Sequence, residues 1–496
     1  MAASQAELSR PAGEEPARRP VWPAVCIAAF AILTGLYVAD LFAHPGLLNW
    51  FDLRIYLRAG RIARQAPGHL YIWVFDKRQF TYTPFAGLIF AQLVSLPRAT
   101  LEYWVTAVSL VSVPVTSWLT FGALGWRGIR RLAAALALAG VALWLEPVQT
   151  ALQLGQIELL LMLLIGWDLC QPDARRLKGA GVGLAAGIKL VPLIFIPYLL
   201  LAGKIRQAVT AAAAFVATAL IGWASSPKTS ASYWLTGYFM RPSGIGPVGG
   251  YRNQSLLALL IRLTGSIQVA RPEWLLAAVI TGLAGLGAAA MLHRSGRPVE
   301  GWVTCALTGL LVSPVSWDNH WVWLLPLLGV IVTWAIRATG GVRWAWYGVG
   351  IGVFVVFGAY PYTFHGPQGY VLDGGLLGIV SRKANRAHIN DLHPGLLITW
   401  NLYILAGMAL FVMMLITAWR ARKQALAALR PGREPPAGER VQARTRSRKT
   451  RRQASSACRT SATGRRRVPM RAVMAVSTAA TTRVPSTRRT SHHAGG

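Results

Sequence analysis

The feature that most constrains this chain is a series of apolar stretches, recurring from residue 21 to residue 418, that are long enough for membrane-crossing helices. Such a helix needs roughly 20 apolar residues. Hydrophobic residues make up 54% of the 496 positions and charged residues 14%, and the 20 tryptophans fit a membrane protein because indole rings favour the interface. The sequence therefore predicts an all-α integral membrane protein with one polytopic domain.

The net charge of +33 is concentrated in a tail rich in Arg, Ser, Thr and Ala. Such a segment buries too little apolar surface to fold. We therefore predict a cytoplasmic segment 1–20, a membrane catalytic domain 21–420 and a disordered basic cytoplasmic tail 421–496. The tail has the charge to bind acidic lipid or RNA, but a solvated extension is the simpler interpretation, and no specific nucleic-acid partner is predicted.

Arginine placement predicts the topology, because loops rich in Lys and Arg stay in the cytoplasm. Arg18 and Arg19 precede the first span, so the N-terminus is predicted inside, and residues 53–66 of the following outer loop suit helices lying in the interface. Keeping the later arginine loops inside requires a half-helix and a pair of short helices broken near Lys189 and Pro192. About twelve crossings with both ends cytoplasmic follow, over 21–43, 101–123, 131–149, 153–170, 179–202 (the broken pair, counted as two short crossings), 206–224, 273–292, 301–316, 321–337, 344–360 and 395–418, while the half-helix 82–97 does not cross.

With this topology, the polar residues at membrane depth collect at the outer face. Ionisable groups there are expensive and mark functional sites. Six elements contribute to the collection, while the inner loops carry mainly Lys and Arg. Its members are Asp52, Glu146, Gln156, Glu158, Lys189, Asn253, Gln254, Ser255, Asp318, Asn319 and His320.

Three of the charged members also have a structural interpretation. Asp52 can cap the start of a helix. Lys189 can extend its ammonium group to the interface, and Glu146 can pair with a nearby cation. Only their convergence with the other polar groups favours a site.

The remaining members have similar alternatives. Gln156 and Asn253 can satisfy backbone groups at helix ends, and His320 can belong to an aromatic belt. As a site, the set suits one reaction: a carboxylate accepts the proton of an attacking sugar hydroxyl, and cations stabilise a departing phosphate. A single base without a second carboxylate nucleophile suits direct displacement with inversion.

No cofactor is predicted. The four cysteines show neither a disulfide framework nor metal-ligand spacing. There is no Walker sequence and no Gly-x-Gly-x-x-Gly after a strand, so a preactivated lipid phosphate is the expected energy source.

At these residues the chain resembles glycosyltransferase family 87, of the GT-C class, from about Asp52 to Pro326. The order and spacing of several short strings carry the resemblance. These are Phe51-Asp52-Leu53 with Tyr56, Phe80-Thr81-Tyr82-Thr83-Pro84-Phe85, Trp144-Leu145-Glu146-Pro147 with Gly155-Gln156-Ile157, Gly187-Ile188-Lys189-Leu190-Val191-Pro192, Asn253-Gln254-Ser255, and Ser313-Pro314-Val315-Ser316-Trp317 with His320-Trp321-Val322-Trp323.

The resemblance implies a GT-C fold and an inverting transfer of mannose from β-linked polyprenyl-phosphate-mannose, without nucleotide sugar or obligatory metal. The implied acceptor is a hydroxyl of a mannosylated glycolipid of the phosphatidylinositol mannoside or lipomannan type, and the implied linkage is α-1,2. The protein is expected to be a multi-pass monomer among the lipids of the cell membrane, with its active site on the extracytoplasmic side.

The resemblance also implies roles for individual residues. Asp52 corresponds to the general base, Lys189 is expected to bind the donor phosphate with Arg54, and His320 to act at that phosphate or at the acceptor. Further predicted substrate-binding residues are Tyr56, Tyr82, Glu146, Gln156, Asn253, Gln254, Trp317 and Asp318.

Three positions depart from the family pattern. Thr83 replaces the first of two usual prolines, and Glu158 stands where asparagine is common after Gly-Gln. Asp318-Asn319 precede a single histidine where two are familiar, so Asp318 becomes a second candidate for the base and the identity of the acceptor is left open.

Two other functions remain as alternatives. Broken helices suit a transporter or lipid flippase, although the chain shows no convincing internal repeat. Transfer of another polyprenyl-phosphate sugar, such as arabinose or glucose, is compatible with the same fold, because pocket hydrogen bonds decide sugar identity. The outer loops 225–252 and 361–394 are expected to shape the acceptor site.

Overall fold

The computed structural model describes residues 21–44, 46–72, 74–75, 78–241, 246–365, 371–378 and 394–428. The chain divides into two units, Met1–Ala427 and Ala428–Gly496, and the described residues belong to the first except for Ala428. The predicted segment 1–20 and the tail beyond Ala428 lie outside them, as do parts of the predicted loop 361–394.

The described residues are overwhelmingly helical, as predicted. In chain order the α-helices are α1 (Trp22–Ala43), α2 (Phe51–Gln65), α3 (Pro84–Leu93), α4 (Arg98–Ala123), α5 (Gly128–Ala142), α6 (Glu146–Leu154), α7 (Glu158–Leu169), α8 (Ala180–Ile188), α9 (Phe195–Leu201), α10 (Ile205–Ser225), α11 (Pro227–Trp234), α12 (Leu256–Thr264), α13 (Ile267–Arg294), α14 (Pro298–Val312), α15 (Leu324–Arg337), α16 (Gly340–Phe357), α17 (Pro394–Trp400) and α18 (Leu402–Ala428).

Short elements complete the described structure. Two antiparallel hairpins pair β1 (Val74–Phe75) with β2 (Arg78–Gln79), and β3 (Ala359–His365) with β4 (Val371–Gly375). Single 3₁₀ turns cover Pro67–His69, Val191–Ile194, Tyr238–Met240 and Asp318–Trp323.

Seven described helices are long and apolar enough to cross a membrane, or eight if the pair α6 and α7, bent by 115°, forms one span. Three shorter apolar helices, Pro84–Leu93, Val191–Leu201 and Pro298–Val312, add to them. The membrane character of the chain is thus confirmed. The count of twelve crossings and the sidedness of the loops stay predictions.

The predicted span 131–149 is instead two helices, because α5 ends at Ala142 and α6 begins at Glu146. The chain is extended at Leu145, and a proline follows Glu146 in the first turn of α6, where its missing N–H costs nothing. By contrast, the break predicted within 179–202 is present: α8 ends at Ile188, and Lys189 is extended before the chain resumes a helical path. The second half of that pair therefore begins at Val191, two residues beyond the lysine.

Helix α2 packs closely on α3. Its buried face carries Leu53, Tyr56 and Leu57, whereas Arg58 is exposed, so the helix is amphipathic as predicted. A Cβ at Gly60 would lie 2.5 Å from the backbone oxygen of Phe90. Only glycine permits this approach, which fixes α2, and with it the first turn of the helix, against the core.

Candidate active site

A cavity of about 1090 Å³ collects polar side chains from separate parts of the chain. Its walls are formed by the start of α2, the segment before α3, the bend between α6 and α7, the break after α8, and the turn Asp318–Trp323. Among the predicted site residues it is lined by Asp52, Tyr56, Tyr82, Gln156, Lys189, Trp317, Asp318 and His320. The cavity is the place where a substrate can meet these groups together.

Asp52 lies in the first turn of α2, where the helix dipole favours a carboxylate. The turn is set by Trp50, whose φ of 47° places it in the left-handed region that non-glycine residues rarely adopt. The Trp50 backbone N–H donates to the Gln153 carbonyl at 2.8 Å, its indole donates to Thr106 Oγ1 at 3.0 Å, and the Asn49 side chain accepts from the Phe51 N–H. These bonds hold the strained entry to the helix.

Gln156 orients the Asp52 carboxylate. Its amide Nε2 donates to Asp52 Oδ2, while its Oε1 accepts from the hydroxyls of Tyr56 and, at 3.4 Å, of Tyr82. The two tyrosine hydroxyls are themselves 2.7 Å apart. Because its amide nitrogen and oxygen are both engaged, Gln156 fixes one Asp52 oxygen and leaves the other for a ligand.

A glycine at the bend between α6 and α7 allows Gln156 to reach Asp52. Gly155 has φ +66°, and a Cβ there would lie 2.9 Å from Leu53 Cβ and 3.2 Å from Trp50 Cδ1. A side chain at this position would therefore strain the backbone and separate α2 from the bend. The Gly-Gln pair of the sequence motif has a direct geometric reason.

Burial and, to a smaller extent, the nearby Glu158 carboxylate together raise the pKa of Asp52 to about 6, against the opposing effects of Gln156, Arg78 and Lys189. A carboxylate with this pKa is still ionised at neutral pH. It is also basic enough to accept a proton there, which is the property that a general base requires.

Lys189 and His320 meet a third residue, Glu158. Lys189 Nζ forms an ion pair with Glu158 Oε1, and His320 Nε2 lies 3.1 Å from Lys189 Nζ and 3.4 Å from the same Glu158 oxygen. Lys189 Nζ also lies 5.4 Å from the centre of the Tyr82 ring. Sequence reasoning placed Glu158 in the same polar collection as Lys189 and His320, but gave it no role and noted it as a departure from the family pattern.

Thr83, another departure, supports this cluster. Its hydroxyl accepts from the Ala86 N–H at 3.1 Å, which caps α3, and donates to the Gly187 carbonyl at the end of α8. Both bonds lie next to the helix break that contains Lys189. A threonine here links two half-helices that a proline would leave unconnected.

A second charged group lies farther along the cavity wall. Arg252 Nε donates to Asp318 Oδ2 at 2.8 Å, and Asp318 is only 3% exposed. The partly buried Trp317 precedes it on the same wall. Glu146 does not line the cavity: it is buried, accepts a hydrogen bond from the Tyr403 hydroxyl and lies near Arg252. The nearby Arg252 is a cation of the kind that the structural interpretation of Glu146 required.

Asn253 and Gln254 are not brought to the cavity. Both are fully buried. Asn253 donates to the carbonyls of Val248 and Pro314 and accepts from the Ser316 N–H, whereas Gln254 binds backbone atoms of residues 251, 400, 403 and 404. Their polar groups are used in joining loops, so the structure gives them a supporting position instead of the predicted contact with substrate.

Arg54 is likewise absent from the cavity lining. Residues 52 and 56 of α2 share a helix face, and position 54 projects about 200° away from position 52. Its Nε is buried without a hydrogen-bond partner among the described residues.

Arg78, which the sequence reasoning did not select, lines the cavity and acts electrostatically on Asp52. Only the hairpin fold brings it there.

Of the predicted loop 225–252, nine residues line the cavity: Tyr233, Tyr238, Phe239, Met240, Arg241, Pro247, Gly250, Tyr251 and Arg252. Of the predicted loop 361–394, residues 366–370 and 379–393 lie outside the described part of the chain. Within the described residues, no group of three or more His, Cys, Asp or Glu side chains is arranged to hold a metal ion.

Comparison with known proteins gives one family and several relatives. The profile of glycosyltransferase family 87 matches residues 80–314. A polyprenol-phosphate-mannose-dependent alpha-(1-2)-phosphatidylinositol pentamannoside mannosyltransferase of Mycobacterium tuberculosis is 29% identical over 340 residues, which cover 67% of this chain and 78% of the relative. Its namesake in Mycolicibacterium smegmatis is 31% identical over 323 residues, covering 62% of this chain and 76% of the relative. No solved structure matches the chain significantly.

Proposed function

The chain belongs to glycosyltransferase family 87, and from this premise we propose that it transfers mannose from polyprenyl-phosphate-mannose to a hydroxyl of a phosphatidylinositol mannoside or lipomannan-type glycolipid. The donor and acceptor class after which the relatives are named support the proposal. The proposed linkage is α-1,2, and the proposed site of action is the outer face of the cell membrane.

One observation carries the proposal: a carboxylate and a lysine–histidine cluster line the same cavity. Asp52 faces the cavity from α2, and Lys189 and His320 face it from the break after α8 and the turn before α15. The reaction needs a base beside the acceptor hydroxyl and cations beside the leaving phosphate. The cavity provides both kinds of group.

In the proposed step, the acceptor hydroxyl gives its proton to Asp52 while its oxygen attacks the anomeric carbon of mannose. The bond from that carbon to the phosphate oxygen breaks, and its electron pair goes to the polyprenyl phosphate. Lys189 stabilises the charge that develops there, with His320 beside it. Attack opposite the leaving group converts a β-linked donor into an α-linked product.

Gln156 and the tyrosine pair support the base in this step. By binding one Asp52 oxygen, Gln156 aims the other at the hydroxyl, and burial keeps the carboxylate basic. Trp317 offers a flat apolar surface on the cavity wall, which suits a sugar ring. Direct participation of these groups stays part of the proposal.

The test is transfer by the purified full-length protein in detergent or liposomes. Labelled polyprenyl-phosphate-mannose, polyprenyl-phosphate-glucose and polyprenyl-phosphate-arabinose are offered separately with a phosphatidylinositol mannoside acceptor, and Asp52→Asn protein measures any background. We expect mannose alone to appear in the glycolipid, with an α-1,2 linkage by glycosidase digestion and NMR. Transfer of another sugar would show that the proposed donor, polyprenyl-phosphate-mannose, is wrong. Transport of the donor across liposomes without transfer would overturn the proposal.

A further inference from the structure

His320 faces a cation and an anion with the same ring nitrogen. Its Nε2 lies 3.1 Å from Lys189 Nζ and 3.4 Å from Glu158 Oε1. An ammonium group only donates hydrogen bonds, so contact with Lys189 requires Nε2 to accept and to carry no proton. His320 at rest is therefore neutral, with its single proton on Nδ1.

The charges in contact with this ring form one balanced pair, Lys189 and Glu158. The rest of the cavity is lined by the carboxylates Asp52 and Asp318 and by Arg78, Arg241, Arg252 and Arg271. Farther along the wall, Asp318 is paired with Arg252. The charged groups that line the cavity of His320 or lie on elements packed against its turn, together with the nearby Tyr82, are Asp52 from α2, Arg78 from β2, Glu146 from α6, Glu158 from α7, Lys189 after α8, Arg241 and Arg252 before α12, Arg271 from α13 and Asp318 from its own turn.

A donor phosphodiester would disturb this balance by one negative charge. Unpaired charge in a buried site is costly, and such sites respond by changing protonation. A phosphodiester does not titrate near neutral pH, so the compensating proton has to be taken up by the protein. Asp52 is needed as the free base, whereas the His320 Nε2 is a neutral acceptor that already lies beside Lys189 and Glu158.

We propose that His320 takes up one proton from water when the donor binds, and that Glu158 is the positioning residue that holds the resulting imidazolium beside the donor phosphate. The inference rests on the proposed function, which supplies the anionic donor. Lys189 turns an N–H from His320 to the phosphate, and Nε2 gains the proton. No other bond forms or breaks.

The surroundings of Glu158 fit this role. Its side chain is 7% exposed, and its Oε2 has no hydrogen-bond partner among the described residues. The carboxylate therefore has an unused acceptor next to an imidazole that can become a donor. A buried imidazolium between two anions is far more favourable than one without them.

The experiment counts protons during binding. The full-length protein in detergent is titrated calorimetrically with polyprenyl-phosphate-mannose without acceptor, in buffers of different ionisation enthalpy. We expect uptake of about one proton per donor, and an affinity that weakens by up to about tenfold per pH unit as pH rises. His320→Gln and Glu158→Gln are each expected to lose most of this uptake. Glu102→Gln, which breaks only the surface pair with Arg98, is expected to keep it.

The outcomes distinguish the inference of proton uptake from the proposed function. Donor binding without proton uptake by the unaltered protein would refute the inference and leave the proposed function standing. Loss of uptake in His320→Gln but not in Glu158→Gln would remove Glu158 from the role. If Glu158→Gln fails to fold, Glu158→Asp replaces it, and restored uptake there supports the carboxylate. Absence of both donor binding and mannose transfer would instead refute the proposed function.

Discussion

Two lysine–carboxylate clusters lie at the two ends of α7, and they differ in their surroundings. At the start of the helix, Glu158 pairs with Lys189 on the cavity wall, with side chains 7% and 18% exposed. Beyond its end, Asp173 pairs with Lys178 at 2.8 Å and Lys204 at 2.6 Å, and is 56% exposed. The 12 residues of α7 separate the clusters by about 18 Å.

The two clusters also differ in their hydrogen bonding. In the far cluster, Asp173 also accepts from Gln207 at 3.0 Å, and Lys178 donates to the Gln171 carbonyl at 2.6 Å. These groups serve to join the loop to α10. In the cavity cluster, Glu158 keeps an unpartnered oxygen among the described residues and Lys189 faces open space. Lysine–carboxylate pairs of similar composition thus differ in function because only the Glu158 carboxylate is buried, incompletely bonded and paired with a lysine on a cavity wall.

The largest expected effect comes from removing the base of the cavity site. Asp52→Asn keeps the side-chain shape but cannot accept the hydroxyl proton, so kcat is expected to fall about 10²- to 10⁴-fold. The donor KM should change little. Steady-state transfer assays measure both quantities, and a variant with near-normal kcat would remove Asp52 from the mechanism.

Lys189→Met tests the difference in burial. It leaves Glu158 as a buried unpaired charge, so the free energy of unfolding is expected to drop by about 3–5 kcal/mol, with loss of activity. Lys204→Met in the exposed cluster should cost no more than about 1 kcal/mol. Thermal or denaturant unfolding in detergent provides the comparison.

A double variant separates stability from catalysis at the same place. Lys189→Met with Glu158→Gln removes both charges and should regain much of the lost stability without regaining transfer. Recovery of activity in the double variant would show that Lys189 is needed only to neutralise Glu158.

The pH profile tests the electrostatic link within the cavity cluster. Because the pKa of Asp52 is about 6, the base becomes protonated below that pH, and kcat at saturating donor should fall by about tenfold per pH unit there. Glu158 raises this pKa, so Glu158→Gln should shift the acidic limb to lower pH. An unchanged limb would show that another group controls it.

Tyr56→Phe has a smaller expected effect. It removes one hydrogen bond to Gln156, worth about 1 kcal/mol, and so loosens the aim of the Asp52 carboxylate. We expect kcat to decrease by about fivefold, with an unchanged donor KM. Tyr238→Phe is the matched control, because the hydroxyl of this other cavity tyrosine donates to the Phe80 carbonyl instead of Gln156.

The smallest effect is expected in the far cluster. Asp173→Asn should leave kcat, KM and the pH profile unchanged and lower the free energy of unfolding by about 1 kcal/mol or less, because exposed ion pairs contribute little. A clear loss of transfer in this variant would contradict the division between the two clusters.

Much of the site was predictable because its residues sit at local interruptions of apolar helices. Asp52, Gln156, Lys189 and His320 each follow or precede a break that is visible in the sequence. Predictions failed where the direction of a side chain on its helix decided its contacts. Arg54 points away from Asp52 on the same helix, although it is only two positions distant.

Asn253 and Gln254 illustrate a second limit of sequence reasoning. A buried amide beside a helix start looks the same in sequence whether it meets substrate or backbone. Here both amides bind backbone atoms, and those bound by Gln254 include Trp400 and Tyr403, about 150 positions away. Only the packing of distant loops reveals that their hydrogen bonds are already made.

The sequence by itself determined the membrane character, the broken helices and the candidate base, because apolar length, prolines and glycines act locally along the chain. The tertiary structure decided which charges meet: Glu158 and Lys189 are separated by 31 positions, Asp52 and Gln156 by 104, and Lys189 and His320 by 131. The physical reason is that a buried charge is governed by its nearest partners in space, and helix direction and bending, not chain order, select those partners.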